Sequence, residues 1–282
     1  KSDGSSFADC GRARVDVIIM SKKIVLTQEQ ANYVKQELLK KRSCTSIRKE
    51  LNIGEDAFRR IAHEIMGPDF DFKHCSYINL NYFSNIDSPE KAYWLGFISA
   101  DGAVSGTTLS IQLQFQDKLH LQKFSNAING NLTIQEINGI NNFGTEYHHC
   151  RVAVRSQKYI DDLKKYNVTN TKSIKLEPPM ISQNLIPYWI MGMIDGDGSI
   201  NYNKSKIRIS LTGTKSILEF VKKQLKSNAV ISLAHRCKNT YTIYIENQIS
   251  ENFLKKYHYT ELPFVLERKR KFVENYFHSS LN

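Results

Sequence analysis

Ala92-Tyr93-Trp94-Leu95-Gly96-Phe97-Ile98-Ser99-Ala100-Asp101-Gly102 is answered later in the chain by Pro187-Tyr188-Trp189-Ile190-Met191-Gly192-Met193-Ile194-Asp195-Gly196-Asp197-Gly198. Each stretch is an apolar run with a small residue midway and Asp-Gly at its end. Wound as helices, they place Trp94 and Ile98, and likewise Trp189 and Met193, at i, i+4 spacing on one stripe. Gly96 and Gly192 each cost a helix about 1 kcal/mol against alanine. That cost makes sense where two helices pack so closely that no side chain fits between them. The closing Gly102 and Gly198 predict left-handed helix ends. Asp101 and Asp197 then stand at the ends of two matching helices, where a carboxylate opposes the helix dipole. Two such carboxylates side by side also repel. A divalent cation relieves both problems, because hard cations prefer carboxylate oxygens. Aspartates that merely terminate helices would explain one copy, but not two with matched flanks.

The surrounding sequence repeats as well. Leu109 to Gln116 alternates strictly, which predicts a half-buried strand whose outer face carries Ser110, Gln112, Gln114 and Gln116. A row of amides suits base edges, since glutamine pairs with adenine N6 and N7. The alternation recurs from Ile207 to Thr212, with Lys206, Arg208, Ser210 and Thr212 outward. Asp101 and Asp197 lie 96 residues apart (197 − 101), and the same shift sets Ile111 on Ile207, Leu113 on Ile209, Phe115 on Leu211 and Phe124 on Phe220. Leu163-Lys164-Lys165-Tyr166 returns as Leu254-Lys255-Lys256-Tyr257, 91 residues on (254 − 163). Helices are expected near 118–129 and 216–227, and later strands near 151–155 and 240–246, with Arg151 and Arg155 on one face. The pattern αββαββα therefore occurs twice, joined at Pro178-Pro179, and a pseudo-twofold protein suits nearly twofold duplex DNA.

The two motifs resemble the LAGLIDADG motif of homing endonucleases, in the form with both copies on one chain. The second copy matches well; the first has Ser99 where that family carries an acidic residue, but keeps Asp101. The likeness extends over about residues 80–275. It implies an α+β fold in which a duplicated αββαββα unit presents a DNA-binding β-saddle. It also implies that Asp101 and Asp197, with Ala100 and Gly196 beside them, hold two or three divalent ions. Mg2+ is the expected ion, with Mn2+ or Ca2+ able to substitute in binding. A lysine of each half is expected at the active centre, and Lys172 and Lys269 match that position. Asp117 is the candidate polar residue at the end of the first long strand, where the second half carries Gly213.

The first 67 residues read differently. Residues 1–26 show no clear period and are expected to be a leader. Thr27 and Gln30 form a capping box before the stripe Tyr33, Val34, Leu38. Helices are expected from Thr45 to Leu51 and from Glu55 to Met66 around an Asn52-Ile53-Gly54 turn. Ile47, Leu51, Ile53, Phe58 and Ile61 have the spacing of a helix-turn-helix core. This all-α module, 27–67, resembles those of resolvases and transcription factors, and its third helix would offer Arg59 and Arg60 to DNA. A plain helical hairpin is the alternative. Gly67-Pro68 ends the module; 68–88 is a connector anchored by Tyr77, Tyr82 and Phe83; 89–180 and 181–282 are the two halves.

Composition bounds the partner. A net charge of +11 and a pI near 9.3 over 282 residues favour an acidic one, nucleic acid above all. No window can span a membrane and no nucleotide-binding loop is present. Five scattered cysteines without a C-x-x-C argue for a reducing compartment, bacterial or phage cytoplasm or an organellar matrix, and against secretion. The function that follows is a monomeric, Mg2+-dependent, sequence-specific double-strand DNA endonuclease. A DNA-binding regulator or an RNA-splicing maturase on the same scaffold is the alternative. An intein is disfavoured, because the stretch begins at Lys1 and serine precedes Leu281-Asn282.

Overall fold

The computed structural model describes residues 19–21, 24–40, 42–67, 70, 78–140, 144–171, 175–203, 206–235 and 237–279. The chain divides into two compact units, residues 1–77 and 78–282.

In the first unit a short hairpin, β1 (Ile19–Ser21) with β2 (Ile24–Leu26), precedes three helices, α1 (Gln28–Leu39), α2 (Cys44–Glu50) and α3 (Glu55–Met66). Thr27 and Gln30 close the capping box, Asn52 takes the left-handed conformation that turns α2 into α3, and Gly67 ends α3 at φ 93°. Val34, Leu38, Ile47, Ile53, Phe58 and Ile61 bury their side chains together, while Leu51 stays half-buried. The expected leader is corrected at its end, because residues 19–26 contain the hairpin and Leu26 enters this core. Three-residue strands are too short for alternation to be seen. Arg59 and Arg60 are exposed on α3, with Arg59 Nη2 3.8 Å from Glu55 Oε1.

The second unit runs α4 (Pro89–Asp101), β3 (Gly102–Ser105), β4 (Thr108–Gln114), a 3-10 turn, α5 (Lys118–Ala127), β5 (Gln135–Ile140), β6 (Glu146–Arg155) and α6 (Gln157–Lys164). It then repeats as α7 (Ile186–Asp197), β7 (Gly198–Asn203), β8 (Lys206–Gly213), α8 (Lys215–Leu225), β9 (Ile231–Leu233), β10 (Tyr241–Tyr244) and α9 (Asn247–Lys256), and closes with α10 (Glu267–Ser279). Two antiparallel sheets result, in the orders β3-β4-β6-β5 and β7-β8-β10-β9, the same topology twice. Alternation explains their packing: Leu109 and Ile111, Cys150, Val152 and Val154, and Ile207, Ile209 and Leu211 all turn inward. Within the connector, Tyr82 and Phe83 are buried as expected, whereas Tyr77 lies outside the described residues.

The register corrects the uniform shift of 96. Gly102 pairs with Ile111, but Gly198 pairs with Leu211, so Leu211 is the counterpart of Ile111, 100 residues on (211 − 111). The second hairpin is two residues longer on each strand, and an even change leaves every side chain on its face. The helix that follows returns to a shift of 97, from cap Asp117 to cap Thr214 (214 − 117). Val221 thus stands where Phe124 does, and Thr214, not Gly213, answers Asp117. Strand β4 also ends earlier than its alternation suggested. Phe115 to Asp117 wind into the 3-10 turn, where Phe115 stacks on His148 at 3.8 Å, so Gln116 is exposed on a turn rather than on the strand.

Candidate active site

The site is built on α4 and α7. Ser88 caps α4 with its hydroxyl and Pro89 starts it; α7 has no side-chain cap and carries Pro187 at its second position. Both helices are buried on all sides for most of their length, Trp94 and Trp189 included. The two glycines admit the contact. A β-carbon at Gly96 would lie 2.0 Å from the Trp189 carbonyl oxygen, and one at Gly192 would lie 2.1 Å from that of Tyr93. Each glycine thus faces the carbonyl three residues before the other, as a twofold axis between the helices requires.

The closing glycines are not left-handed. Gly102 (φ −69°, ψ 142°) and Gly198 (φ −102°, ψ 173°) are extended and lead straight into strands. They are glycines because a β-carbon would press on the carbonyl oxygens of Ile98 (2.6 Å) and Ile194 (2.7 Å). Close approach, not backbone handedness, selects them. At these ends a β-carbon on Gly196 would sit 2.3 Å from that of Ala100 and 3.4 Å from the carboxyl carbon of Asp101. Asp101 is half-buried there and Asp197 is exposed. Four of the sequence candidates, Ala100, Asp101, Gly196 and Asp197, therefore share one place.

Beneath them lies a buried network that the sequence had not disclosed. The Asp195 carboxylate accepts from Tyr93 Oη (2.6 Å), Tyr259 Oη (2.5 Å) and the backbone N–H of Leu266 (2.8 Å). Tyr93 Oη also meets His120 Nε2 at 3.1 Å. Burial pushes the Asp195 carboxyl above its ordinary range, opposed by Lys269 and by the hydrogen bonds from Tyr259, Tyr93 and Leu266. Burial likewise pulls His120 and Lys269 down, with Asp195, Asp101 and Asp117 favouring the Lys269 ammonium. In the first motif Ser99 donates instead to Leu95 O within its own helix, at 2.8 Å.

Lys269, expected at the active centre, is held against the end of α7. Its ammonium donates to the carbonyls of Ile194 (2.6 Å), Asp195 (2.9 Å) and Gly198 (2.7 Å), and the side chain is buried. An ammonium has three protons, and all three serve the end of α7. The register agrees. Glu177 and Glu267 follow the buried Leu176 and Leu266 and reach the opposite half, at Ser216 and Lys123; they are 90 residues apart (267 − 177). A partner for Lys172 then falls at Leu262, not at Lys269, and Lys172 itself lies outside the described residues. Lys269→Met is accordingly expected to lower stability by roughly 3–5 kcal/mol, since it leaves three carbonyls without their donor and removes the charge that favours the buried Asp195 carboxylate. A thermal melt checks this: a Tm unchanged alongside lost turnover would restore Lys269 to the chemistry.

The neighbouring Arg268 is half-exposed and grips Asp117 with two nitrogens, Nη2 to Oδ2 at 3.2 Å and Nε to Oδ1 at 3.4 Å. Thr214, which answers Asp117, donates to Leu176 O at 2.8 Å. Each half thus ties the cap of its first outer helix to the end segment of the other.

The outer faces of the sheets carry the remaining candidates. On the first, Ser110, Gln112 and Gln114 of β4 lie across from Ala153, Arg151 and His149, and Arg155 faces Thr108. On the second, Lys206, Arg208, Ser210 and Thr212 turn outward, with Ser210 and Ser199 hydroxyls 2.7 Å apart and the Arg208 guanidinium over the Tyr244 ring at 5.0 Å. Sequence reasoning missed Tyr147, His149 and Tyr244. Counting by twos from Arg151 would have found the first two.

No family model matches the chain. A curated relative, the DNA-directed RNA polymerase subunit Rpo1C of Methanocaldococcus jannaschii, is 27% identical over 194 residues, 67% of this chain. The chain spans 21% of that protein's length. Among solved structures, the homing endonuclease I-WcaI bound to its DNA recognition sequence has a TM-score of 0.47 at 16% identity, over 68% of this chain and 89% of its own. I-DmoI in complex with DNA and Ca has a TM-score of 0.42 at 17% identity, over 70% and 99%. Full-length DUF199/WhiA from Thermatoga maritima has 0.44 at 16% identity, over 71% and 65%. In this chain the motif is repeated on two central helices, each followed by a four-stranded antiparallel sheet of the same strand order.

Proposed function

We propose that this protein is a sequence-specific DNA endonuclease that works with divalent metal held between Asp101 and Asp197. The observation that carries the reading is the meeting of the two motif ends, where Gly196 abuts Ala100 and Asp101. Two carboxylates at helix C-termini, with backbone carbonyls beside them, form a hard-oxygen donor set that suits Mg2+. Held by Asp101 and Asp197, such ions would supply Lewis-acid chemistry, the activation of a water and stabilisation of the leaving 3′ oxygen. The chain's own residues bind, aim and anchor. Arg268, half-exposed and fixed by Asp117, takes the place of Lys269 as the cation near the scissile phosphates of one half. Lys172 keeps that role in the other. The outer sheet faces read the duplex, and Arg59 and Arg60 of the first unit add a second contact, to which the net charge of +11 contributes.

The test is cleavage of a randomised duplex library by the purified chain in Mg2+ and in EDTA. A discrete subset of sequences should be cut in Mg2+ and none in EDTA. Specific binding without cutting would instead favour a regulator. Removing residues 1–67 should shorten the protected footprint and flatten the salt dependence, by roughly 0.9 in slope for each phosphate that is no longer neutralised. An unchanged footprint would mean that the first unit does not touch the DNA.

A further inference from the structure

On the first sheet Gln112 Nε2 lies 3.0 Å from His149 Nδ1. An amide nitrogen only donates, so Nδ1 accepts and the imidazole proton sits on Nε2. The amide thereby has one N–H committed, and keeps its oxygen and its second N–H for another partner. Both side chains stand on the outer face, since Cys150, between His149 and Arg151, is buried. The ring centre of Tyr147, two residues back on the same strand, lies 5.3 Å from that of His149. Tyr147 in turn lies across Gly139 of β5, where a β-carbon would meet its hydroxyl at 2.5 Å. The titratable and charged groups around His149 on that face are Tyr147 and Arg151 of its own strand; β4 presents Gln112 and Gln114, and β5 presents Gln135 and Ile137.

We infer that Gln112 and His149 form one base-reading unit that selects adenine while the imidazole is neutral and guanine once it is protonated. This rests on the outer face being the DNA-reading surface. An amide showing one oxygen and one N–H matches the N6 donor and N7 acceptor of adenine. When a proton enters Nδ1, that nitrogen becomes a donor and the amide must turn its oxygen towards it. The amide then shows two N–H groups, and the Nε2–H of the ring, a donor in both states, stays beside them. Only donors now face the groove, and guanine offers the two acceptors, O6 and N7, that match them. Histidine is the side chain that changes charge between roughly pH 5 and 8, so solvent supplies the proton.

The experiment selects bound sequences from a randomised duplex pool, in EDTA so that no cleavage intervenes, at about pH 7.5 and about pH 5.5, the span over which histidine titrates. One base pair of the wild-type consensus should prefer adenine over guanine by about tenfold at the higher pH and lose or reverse that preference at the lower. His149→Gln keeps a donor and an acceptor but does not titrate, and should hold the adenine preference at both. Gln112→Ala should lose selection at that position alone. A consensus indifferent to pH, or a pH-dependent base that persists in His149→Gln, overturns the pair while leaving the DNA-reading surface standing. A wild-type pool that yields no consensus overturns the surface and the pair together.

Discussion

Alanine at Gly192 is expected to cost the second unit on the order of 3 kcal/mol or more, at or above the upper end of ordinary overpacking. The new methyl would stand 2.1 Å from the Tyr93 carbonyl oxygen and 2.6 Å from the Phe97 nitrogen. Both are backbone atoms, so no rotamer change relieves the clash and the helices must part. Parting them loosens Trp94, Trp189 and the aromatic cluster around them, all buried. The better helix propensity of alanine returns only about 1 kcal/mol. Gly96→Ala, at 2.0 Å from Trp189 O, should behave alike. Gly213→Ala meets nothing closer than 3.9 Å and serves as the near-neutral control. Denaturant titrations read the difference. Wild-type midpoints for both motif variants would mean that the helices are not in backbone contact.

The second large effect is on chemistry. Asp101→Asn or Asp197→Asn should reduce single-turnover cleavage in Mg2+ by roughly a thousandfold or more, the worth of several kcal/mol of metal assistance. Specific binding should stay within a few-fold, because neither side chain lies on a sheet face. Stability should change little: removing a negative charge from a helix C-terminus relieves about 0.3–1 kcal/mol, and for Asp101 this is offset by the support its carboxylate lends the buried Lys269 ammonium. That pairing of a lost rate with an unharmed Tm separates a ligand-holding role from a structural one. Near-normal cutting by either variant would remove the paired aspartates from the mechanism.

What the sequence disclosed, and what it hid, follow from the range of each interaction. Period and caps are local. The motif helices, the Thr27 capping box, the inward faces of β4 and β8 and the doubled αββαββα order were therefore legible residue by residue. Offsets were legible only up to compensating insertions. Two added residues on each strand of a hairpin preserve alternation, so the shift from 96 to 100 left no trace in the pattern. The roles of charged residues were least legible. In the row Arg268-Lys269-Arg270-Lys271 nothing local separates the lysine that caps a buried helix from the arginine that grips Asp117. Only tertiary distance sorts them. Asp195 was visible as an extra acid in the second motif. Its partners stand 102, 64 and 71 positions away, beyond any sequence window.

The Asp195 network divides the two halves into a lender and a borrower. Tyr93 stands three residues before Gly96, and the residue in the same place before Gly192 is Trp189. A particle assembled from two copies of the second half would bring Trp189 to the spot where Tyr93 now stands, and each Asp195 would forfeit its 2.6 Å phenol donor in a buried setting. Two copies of the first half would carry Ser99 there, whose hydroxyl turns back to its own helix and asks for no phenol. The twofold is unequal at this point, for the second half borrows from the first the phenol that serves its buried carboxylate, and the first half borrows nothing in return there.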